Sequence, residues 1–264
     1  METGKLYDSG VAPSDNGLYE SSRNAWRCKV PWLPSLSPRL STVASQVRQG
    51  SRLVDVGCDH AKLCVHLVGT GHCKSAIATD IREGPCLRAV ASVERASLDH
   101  LIQVVKTDGL QGIDLSNVDD VVIAGMGGTT VLHILNSSPE VKQERIRLVM
   151  QPQSDLPLVR YHLYREGYLF EEHLASESDK LYHVFCAEYA GGEHPFTFFA
   201  IHVGYPSGST EQHALYRHKL LSRTRVQLEG LSRSIHADPD KKAMLHAILA
   251  ELAKCTPSEQ PAII

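Results

Sequence analysis

The sequence lacks the features that mark membrane, secreted and disulfide-stabilised proteins. It has no run near the ~20 apolar residues that a membrane-spanning helix needs. Residues 1–29 lack the apolar core of a secretory signal. Its 7 cysteines are odd in number and never spaced Cys-x-x-Cys, which is typical of reduced thiols in a reducing compartment. These absences predict a soluble cytoplasmic protein with no membrane partner and no structural disulfide.

A metal centre is not expected either, although cysteines and histidines are frequent after residue 57. Their spacing matches no closed zinc site, and side chains two positions apart on a helix point to different sides. Nucleophilic catalysis by one of these cysteines would need a base and an oxyanion hole that the sequence does not indicate. The residues concerned are Cys58, His60, Cys64, His66, His72 and Cys73.

What is present is the composition of a globular chain, with 42% hydrophobic and 22% charged residues. A length of 264 residues suits one large domain and a smaller one. The net charge is −3, but residues 211–254 hold eight Lys or Arg against five Asp or Glu, so this segment is +3 and the remainder −6. Such asymmetry allows a local polyanion-binding arm on an otherwise acidic protein.

Alternating strand-like and helix-like segments begin at residue 52. Short β-branched runs followed by helical stretches are typical of a mostly parallel sheet covered on both faces. Two strand-like runs, 168–175 and 180–190, then follow without a helix and predict an antiparallel edge hairpin joined by residues 176–179. The prediction is a Rossmann-like α/β fold with a seven-stranded sheet, the arrangement of class I methyltransferases that consume S-adenosylmethionine.

The C-terminal segment is predicted to be helical. Leu221, Leu228 and Ile235 recur every seven residues, and Asp238 before Pro239 is typical of a helix start. This pattern predicts two antiparallel helices, which either cover the sheet or form a basic arm for a polyanionic substrate. The predicted division is a loosely ordered extension over 1–35, a methyltransferase-like domain over 36–190 and a helical domain over 191–264, which begins with a loop over 191–209.

The motif Asp55-x-Gly57-x-Asp59 follows the first predicted strand. Ligands of parallel sheets bind at the carboxyl ends of the strands, so this turn faces the predicted site. Gly57 allows close approach to the backbone, and Asp55 can accept a hydrogen bond from an amino group or from a turn amide. Asp59 would repel a pyrophosphate, which favours a cofactor with a cationic amino-acid tail over a dinucleotide. A tight turn without a ligand would use the same residues.

Further polar residues follow the later strands. Asp80 can accept both ribose hydroxyls of a nucleoside, and Asp108 can accept from an adenine amino group. Each alone suits a solvated loop, but three carboxylates on one rim favour an adenosine that carries an amino acid. The glycine-rich run 125–128 allows close approach to this cofactor or cradles a phosphate. Gln151 and Gln153 supply amides that either read a base edge or are solvated.

At these motifs the chain resembles the bacterial tRNA (adenine-N1)-methyltransferases that modify adenine 22. The resemblance covers roughly residues 36–190, and two of its motifs, the Asp-His pair and the Ala-Gly-Met-Gly-Gly run, are unusual among methyltransferases at large. The matching segments are Leu36–Leu40 with Val43–Ala44, Asp55–Ala61, Glu83–Pro85, Asp108–Leu110, Ile123–Gly128 and Gln151–Pro152.

The resemblance implies S-adenosylmethionine as cofactor, tRNA as substrate, no metal, and the helical tail as a coiled-coil domain. It implies Asp59 as the catalytic residue, with His60 orienting it or the base. The implied cofactor-binding residues are Asp55, Gly57, Asp80, Ile81, Asp108, Gly109, Ala124, Gly125, Met126 and Gly127. The implied substrate-binding residues are Arg39, Gln151 and Gln153. The oligomeric state stays open, a monomer included.

The chain departs from the family pattern at two places. Lys62-Leu63-Cys64 replaces Tyr-Leu-Pro, and Gln153 replaces an asparagine. Either change can alter which adenine is chosen. The sequence leaves two alternatives open: a methyltransferase of the same fold that acts on another RNA or a small molecule, and a catalytically silent RNA-binding homologue. It also leaves open whether residues 1–35 address an organelle.

Overall fold

The computed structural model describes residues 32–233 and 238–254. Most of the predicted extension, 1–31, lies outside the described residues, as does Ile235 of the heptad pattern. Just after it, the Trp32 ring packs under the guanidinium of Arg95, with 4.3 Å from Cζ to the ring centroid.

A seven-stranded sheet forms the centre of the molecule, in the order β3-β2-β1-β4-β5-β7-β6. The strands are β1 Arg52–Val56, β2 Ser75–Asp80, β3 Ile102–Lys106, β4 Asp120–Met126, β5 Arg147–Pro152, β6 Tyr168–Glu177 and β7 Lys180–Tyr189. The helices are α1 Pro38–Gln46, α2 Lys62–Gly69, α3 Glu83–Ala96, α4 Gly128–Asn136, α5 Leu156–Arg165, α6 Phe198–His202, α7 Thr210–Ser232 and α8 Pro239–Lys254. Strands β1 to β5 are parallel and β7 is antiparallel to β5 and β6, so the predicted Rossmann-like fold is confirmed.

Alternating side chains of the central strands fill two cores, one on each face of the sheet. Leu53 and Val122 pack with α1, α2 and α3, whereas Val54 and Val121 pack with α4 and α5. All four are almost fully buried. Because both faces are covered, these strands are apolar at successive positions, as is expected of parallel strands.

The strand order reverses between β1 and β4, where the chain leaves one half of the sheet and enters the other. Loops that follow neighbouring parallel strands at such a point diverge and open a crevice at the carboxyl ends of the strands. The candidate site lies in this crevice.

Two local predictions were wrong. The hairpin turn has two residues, Ser178 and Asp179, because β6 extends to Glu177, which pairs with Lys180. Ser178 adopts φ +52°, the left-handed conformation that two-residue hairpin turns require. The predicted loop before α7 contains the short helix α6, which begins where the Thr197 hydroxyl accepts from the Ala200 N–H at 3.1 Å. A helix of five residues is too short to show an apolar period.

The two C-terminal helices run antiparallel, as predicted. Arg217, near the start of α7, donates to the carbonyl of Leu252, near the end of α8, at 2.6 Å. The carboxylate of Asp238 accepts from the backbone N–H groups of Asp240 and Lys241 at 3.0 and 3.2 Å, as an N-cap residue does.

A buried polar group, here called the Arg160 cluster, joins these helices to the sheet. It consists of Arg160 on α5, Glu172 on β6, His183 on β7 and Tyr216 on α7. Arg160 donates two hydrogen bonds to the Glu172 carboxylate, at 3.0 and 2.6 Å, and one to the carbonyl of Ile201. Burial alone would raise the pKa of Glu172, but the attraction of Arg160 and the hydrogen bond from His183 lower it to about 2.

Candidate functional site

A cavity of about 930 Å³ opens at the carboxyl ends of β1, β2, β3 and β4. It brings together most of the residues that the sequence singled out. Those that line it are Arg39, Asp55, Gly57, Asp59, His60, Asp80, Ile81, Asp108, Gly109, Ala124, Gly125, Met126 and Gln153. Gly127 and Gln151 are not among the lining residues.

The turn between β1 and α2 has an unusual backbone. Gly57, Asp59 and Ala61 adopt φ of +73°, +51° and +50°. A left-handed conformation costs a residue with a side chain roughly 1–2 kcal/mol. A Cβ on Gly57 would meet only the flexible end of the Met126 side chain, so the positive φ is the stronger reason for a glycine here. The turn therefore fixes where the Asp59 carboxylate enters the cavity rim.

Asp55 is a buried carboxyl group at the base of the cavity. Its side chain accepts a weak hydrogen bond from the Cys64 thiol, with 3.5 Å between Oδ2 and Sγ. Burial and, to a smaller extent, the nearby carboxylate of Asp80 raise its pKa to about 7, although the hydrogen bond from Cys64 acts in the opposite direction. Among residues 32–233 and 238–254, no cationic side chain forms an ion pair with it, so a cationic ligand group would relieve the cost of burying its charge.

The second and third strand ends form another wall. Asp80 is buried and accepts from the backbone N–H of Arg82 at 2.9 Å, which leaves its second oxygen for other donors. Ile81 beside it is 57% exposed, which is unusual for isoleucine and places an apolar surface in the cavity. Gly109 lies against Ile134, where a Cβ would be 3.3 Å from two of its side-chain carbons. An apolar slot flanked by carboxylates results.

Two polar lining residues on α4, Thr130 and His133, were not predicted from the sequence, nor was their apolar neighbour Ile134. Thr130 and His133 lie three positions apart and so share one face of the helix. Only their place after the glycine-rich run hinted that they face the cavity.

Asp59 and His60 occupy the rim. Asp59 is 57% exposed, and its Oδ1 accepts from Nη2 of Arg88 on α3 at 2.9 Å. Its Oδ2 lies 3.5 Å from Nε2 of His60. Arg88 carried no sequence signal, because only the fold brings α3 next to this turn.

Arg39 reaches the cavity from α1 and is held on three sides. Its Nη1 donates to Oε1 of Gln151 at 2.7 Å, its Nε lies 3.7 Å from Glu177, and its guanidinium lies 5.6 Å from the Tyr182 ring centroid. Gln151 is fully buried, so it contacts Arg39 instead of facing the cavity as predicted. A Cβ on Gly125 would lie 3.8 Å from both Arg39 and Gln153. These two side chains therefore flank the end of β4.

The remaining predicted residue, Gly127, is the N-cap of α4 rather than a lining residue. A Cβ there would lie 3.3 Å from the Ser154 hydroxyl, so Gly127 faces the loop between β5 and α5. Lys62, which replaces the family's tyrosine, is exposed at the start of α2 and lines the cavity.

A second cavity of about 730 Å³, here called the basic cleft, lies between the β5–α5 loop, the edge hairpin and helices α7 and α8. Gln153 lines both cavities, so the two are adjacent. The charged side chains that line the cleft, apart from the paired Arg160, are Asp155, Lys180, Lys219, Arg223 and Lys241. Four cations and one carboxylate make this the more positive of the two cavities.

The part of the chain that the structure describes contains neither a metal-binding cluster nor a membrane-spanning helix. Within residues 32–233 and 238–254, no group of three His, Cys, Asp or Glu side chains is arranged to hold a metal ion. In the same part of the chain no helix is both long and apolar enough to cross a membrane.

Comparison with known proteins agrees with this geometry. A family model described as a methyltransferase domain matches residues 36–185. The tRNA (adenine(22)-N(1))-methyltransferase of Bacillus subtilis is 32% identical over 216 residues, which cover 79% of this chain and 91% of that protein. The crystal structure of the B. subtilis m1A22 tRNA methyltransferase TrmK covers 83% of this chain and 98% of its own, with a TM-score of 0.73 and 29% identity. The Streptococcus pneumoniae protein Sp1610, in complex with S-adenosyl-L-methionine, covers 81% and 100%, with a TM-score of 0.69 and 31% identity. The chain therefore belongs to the methyltransferase-domain family and, within it, to the tRNA (adenine(22)-N(1))-methyltransferases.

Proposed function

We propose that this protein transfers a methyl group from S-adenosylmethionine to N1 of an adenine in tRNA, at position 22 in the D-arm region. The observation that carries the proposal is the cavity at the sheet's switch point, where carboxylates from three successive strand ends meet an apolar slot. Family membership supplies the reaction class, and the residues of the cavity supply the roles below.

The cavity fits the cofactor in three respects. Asp55 is a buried carboxyl group that a cationic α-ammonium would pair with. Asp80 has a carboxylate oxygen available for ribose hydroxyls, and the exposed face of Ile81 suits an adenine ring. When bound, the cofactor supplies an electrophilic methyl group on a sulfonium. The protein's part is to bind, orient and stabilise charge.

Asp59 acts on the target adenine. Adenine N1 already carries a lone pair, so no covalent intermediate with the protein is needed. Methylation adds positive charge to the ring unless the exocyclic amine loses a proton. A carboxylate at that edge stabilises the cation or accepts the proton. Asp59 is the carboxylate on the rim that is both exposed and next to a second polar side chain, His60.

Arg39 and Gln153 position the target nucleotide beside Gly125, and Gln151 acts by holding Arg39. The N1 edge of an adenine is normally engaged in folded tRNA, so the base must leave its stack to reach the cavity. The adjacent basic cleft then holds the flanking phosphates, since Arg223 and Lys241 line it and neither forms an ion pair with a carboxylate of the described residues.

We further propose that the protein works in the cytoplasm, without a resident metal and without a membrane partner. The domain division follows the same proposal, with the methyltransferase domain over 36–190 and an RNA-binding helical domain over 191–264 after the extension 1–35.

The test is to incubate the purified protein with S-adenosylmethionine and a pool of unmodified tRNA transcripts and to map reverse-transcription stops, because an N1 methyl group blocks the pairing edge. A cofactor-dependent stop at adenine 22 supports the proposal in full. A stop at another adenine would indicate a changed target nucleotide, which we would attribute to Lys62 and Gln153. Cofactor binding without any stop would refute tRNA N1 methylation.

A further inference from the structure

Arg88 contacts the carboxylate of Asp59 from outside the cavity. It lies on α3, is not among the residues that line the cavity, and donates from Nη2 to Oδ1 at 2.9 Å. The other carboxylate oxygen, Oδ2, lies 3.5 Å from Nε2 of His60, which does line the cavity. The two oxygens of Asp59 therefore have different neighbours, one toward α3 and one toward the site.

Packing does not hold the Asp59 side chain in place. It is 57% exposed, and the backbone that carries it adopts the left-handed φ of +51°. A carboxylate that acts on a bound base must keep one orientation, because small misplacements of a reacting group cost large factors in rate. The guanidinium of Arg88 is the neighbour that can fix this orientation.

A purely structural role explains the contact less well. Arg88 is itself 47% exposed, and ion pairs between two such side chains add little to the stability of a fold. The helix that carries Arg88 is already anchored by the residues of its buried face, among them Ala89 and Val93. Removing the guanidinium should thus leave the fold intact.

We propose that Arg88 is a positioning residue for methyl transfer: it holds Oδ1 of Asp59 so that Oδ2 is presented to the target adenine. This inference rests on the proposed function and adds a residue that no motif indicates. The contact uses one N–H donor, so a lysine ammonium at this position can make it in part.

The experiment is a double-mutant cycle with tRNA transcripts and labelled S-adenosylmethionine. Arg88→Gln should lower kcat about tenfold, with the KM for tRNA, the Kd for cofactor and the Tm nearly unchanged. Arg88→Lys should recover activity to within about threefold of the wild type. The variant that combines Arg88→Gln with Asp59→Asn should be no slower than Asp59→Asn alone, because Arg88 acts through Asp59.

The matched control is Arg95→Gln, which removes an equal charge from the same helix at a residue that stacks on Trp32. It should leave kcat and KM unchanged.

Three results would overturn the inference. A raised KM with unchanged kcat would make Arg88 an RNA contact, additive losses in the double variant would separate it from Asp59, and full activity of Arg88→Gln would give it no role. A wild-type protein that transfers no methyl group to tRNA would instead refute the proposed function, and the inference with it.

Discussion

The conformation and surroundings of Asp59 contribute little to the stability of the fold. The left-handed backbone at this residue, the exposed carboxylate and the contact with Arg88 all place one negative charge at the rim of the cavity. Strained conformations that persist are concentrated at functional sites.

Asp59→Asn should therefore lower kcat by roughly 10²–10⁴, the usual contribution of general acid–base catalysis. The Kd for S-adenosylmethionine should change by less than about twofold, because Asp55 and Asp80 carry the proposed cofactor contacts. Single-turnover transfer and equilibrium binding measure the two quantities separately. If Asp59→Asn keeps full turnover, the negative charge of Asp59 is not needed for methyl transfer.

Asp55 makes cofactor binding dependent on pH. Its pKa of about 7 in the ligand-free protein means that below pH 7 a proton must leave before the carboxylate can pair with the cofactor's ammonium. The Kd should fall about sixfold from pH 6 to 7.5, because the ionised fraction of Asp55 rises about eightfold while about a quarter of the cofactor's ammonium, with an ordinary pKa near 8, loses its charge. Isothermal titration in buffers of different ionisation enthalpy should detect the released proton.

The control is Asp55→Asn, in which both the pH dependence and the proton release should disappear. If they survive, Asp55 is not the group that releases the proton.

The sequence predicted these carboxylates because each follows an apolar strand, and parallel strands bring their carboxyl ends to one edge. It could not predict Arg88, Thr130 or His133, since contacts between helices depend on how the chain packs rather than on local pattern. Gln151 lies at the end of β5 as predicted, but its amide accepts a hydrogen bond from Arg39 instead of facing a base or solvent. The sequence of β5 does not reveal that Arg39 of α1 packs against this side chain.

Glycines at the ends of elements determine how closely the helices approach the sheet. Gly128 begins α4, and a Cβ there would lie 2.5 Å from the backbone oxygen of Ser154. Because the clash is with the backbone of the β5–α5 loop, it cannot be relieved by a simple side-chain rotation.

Gly128→Ala should destabilise the protein by about 1–3 kcal/mol, the usual cost of overpacking. Gly230 on α7 provides the matched control, because a Cβ at that position meets no atom within 4 Å. Gly230→Ala should stabilise the helix by roughly 0.5–1 kcal/mol. Denaturant unfolding of both variants measures the difference, and equal changes in stability would contradict the steric argument.

Element boundaries were less predictable than element types. The hairpin was predicted from two strand-like runs, but Ser176 and Glu177 are polar and were assigned to the turn, although they pair with Leu181 and Lys180. The N-cap residue of α6, Thr197, can be recognised in the sequence, but a single N-cap residue without an apolar period is weak evidence for a helix.

The distribution of charge over the molecule predicts how RNA binding responds to salt. Each phosphate contact contributes about 0.7–0.9 to the slope of log K against log salt concentration. Replacing Arg223 and Lys241 of the basic cleft with glutamine should thus make the slope shallower by about 1.4–1.8, as filter binding across salt concentrations would show.

A control of equal charge is the pair Arg233→Gln and Lys254→Gln, whose side chains are exposed, paired with glutamates and outside the cleft. This pair should leave the slope unchanged. An equal effect from both pairs would indicate general attraction by the helical arm instead of contacts in the cleft.

The Arg160 cluster has a consequence for how the molecule opens. Arg160 belongs to α5, and its guanidinium donates to Glu172 on β6 and to the carbonyl of Ile201 in α6. It also lies 3.5 Å from the Tyr216 hydroxyl on α7. Exposing any one of these elements would leave buried charge without a partner, so they should open together as one cooperative unit. In native-state hydrogen exchange, amides of α7 near Tyr216 should then share one opening free energy with those of the edge hairpin. The arm that is proposed to hold RNA would move only when the sheet edge moves with it.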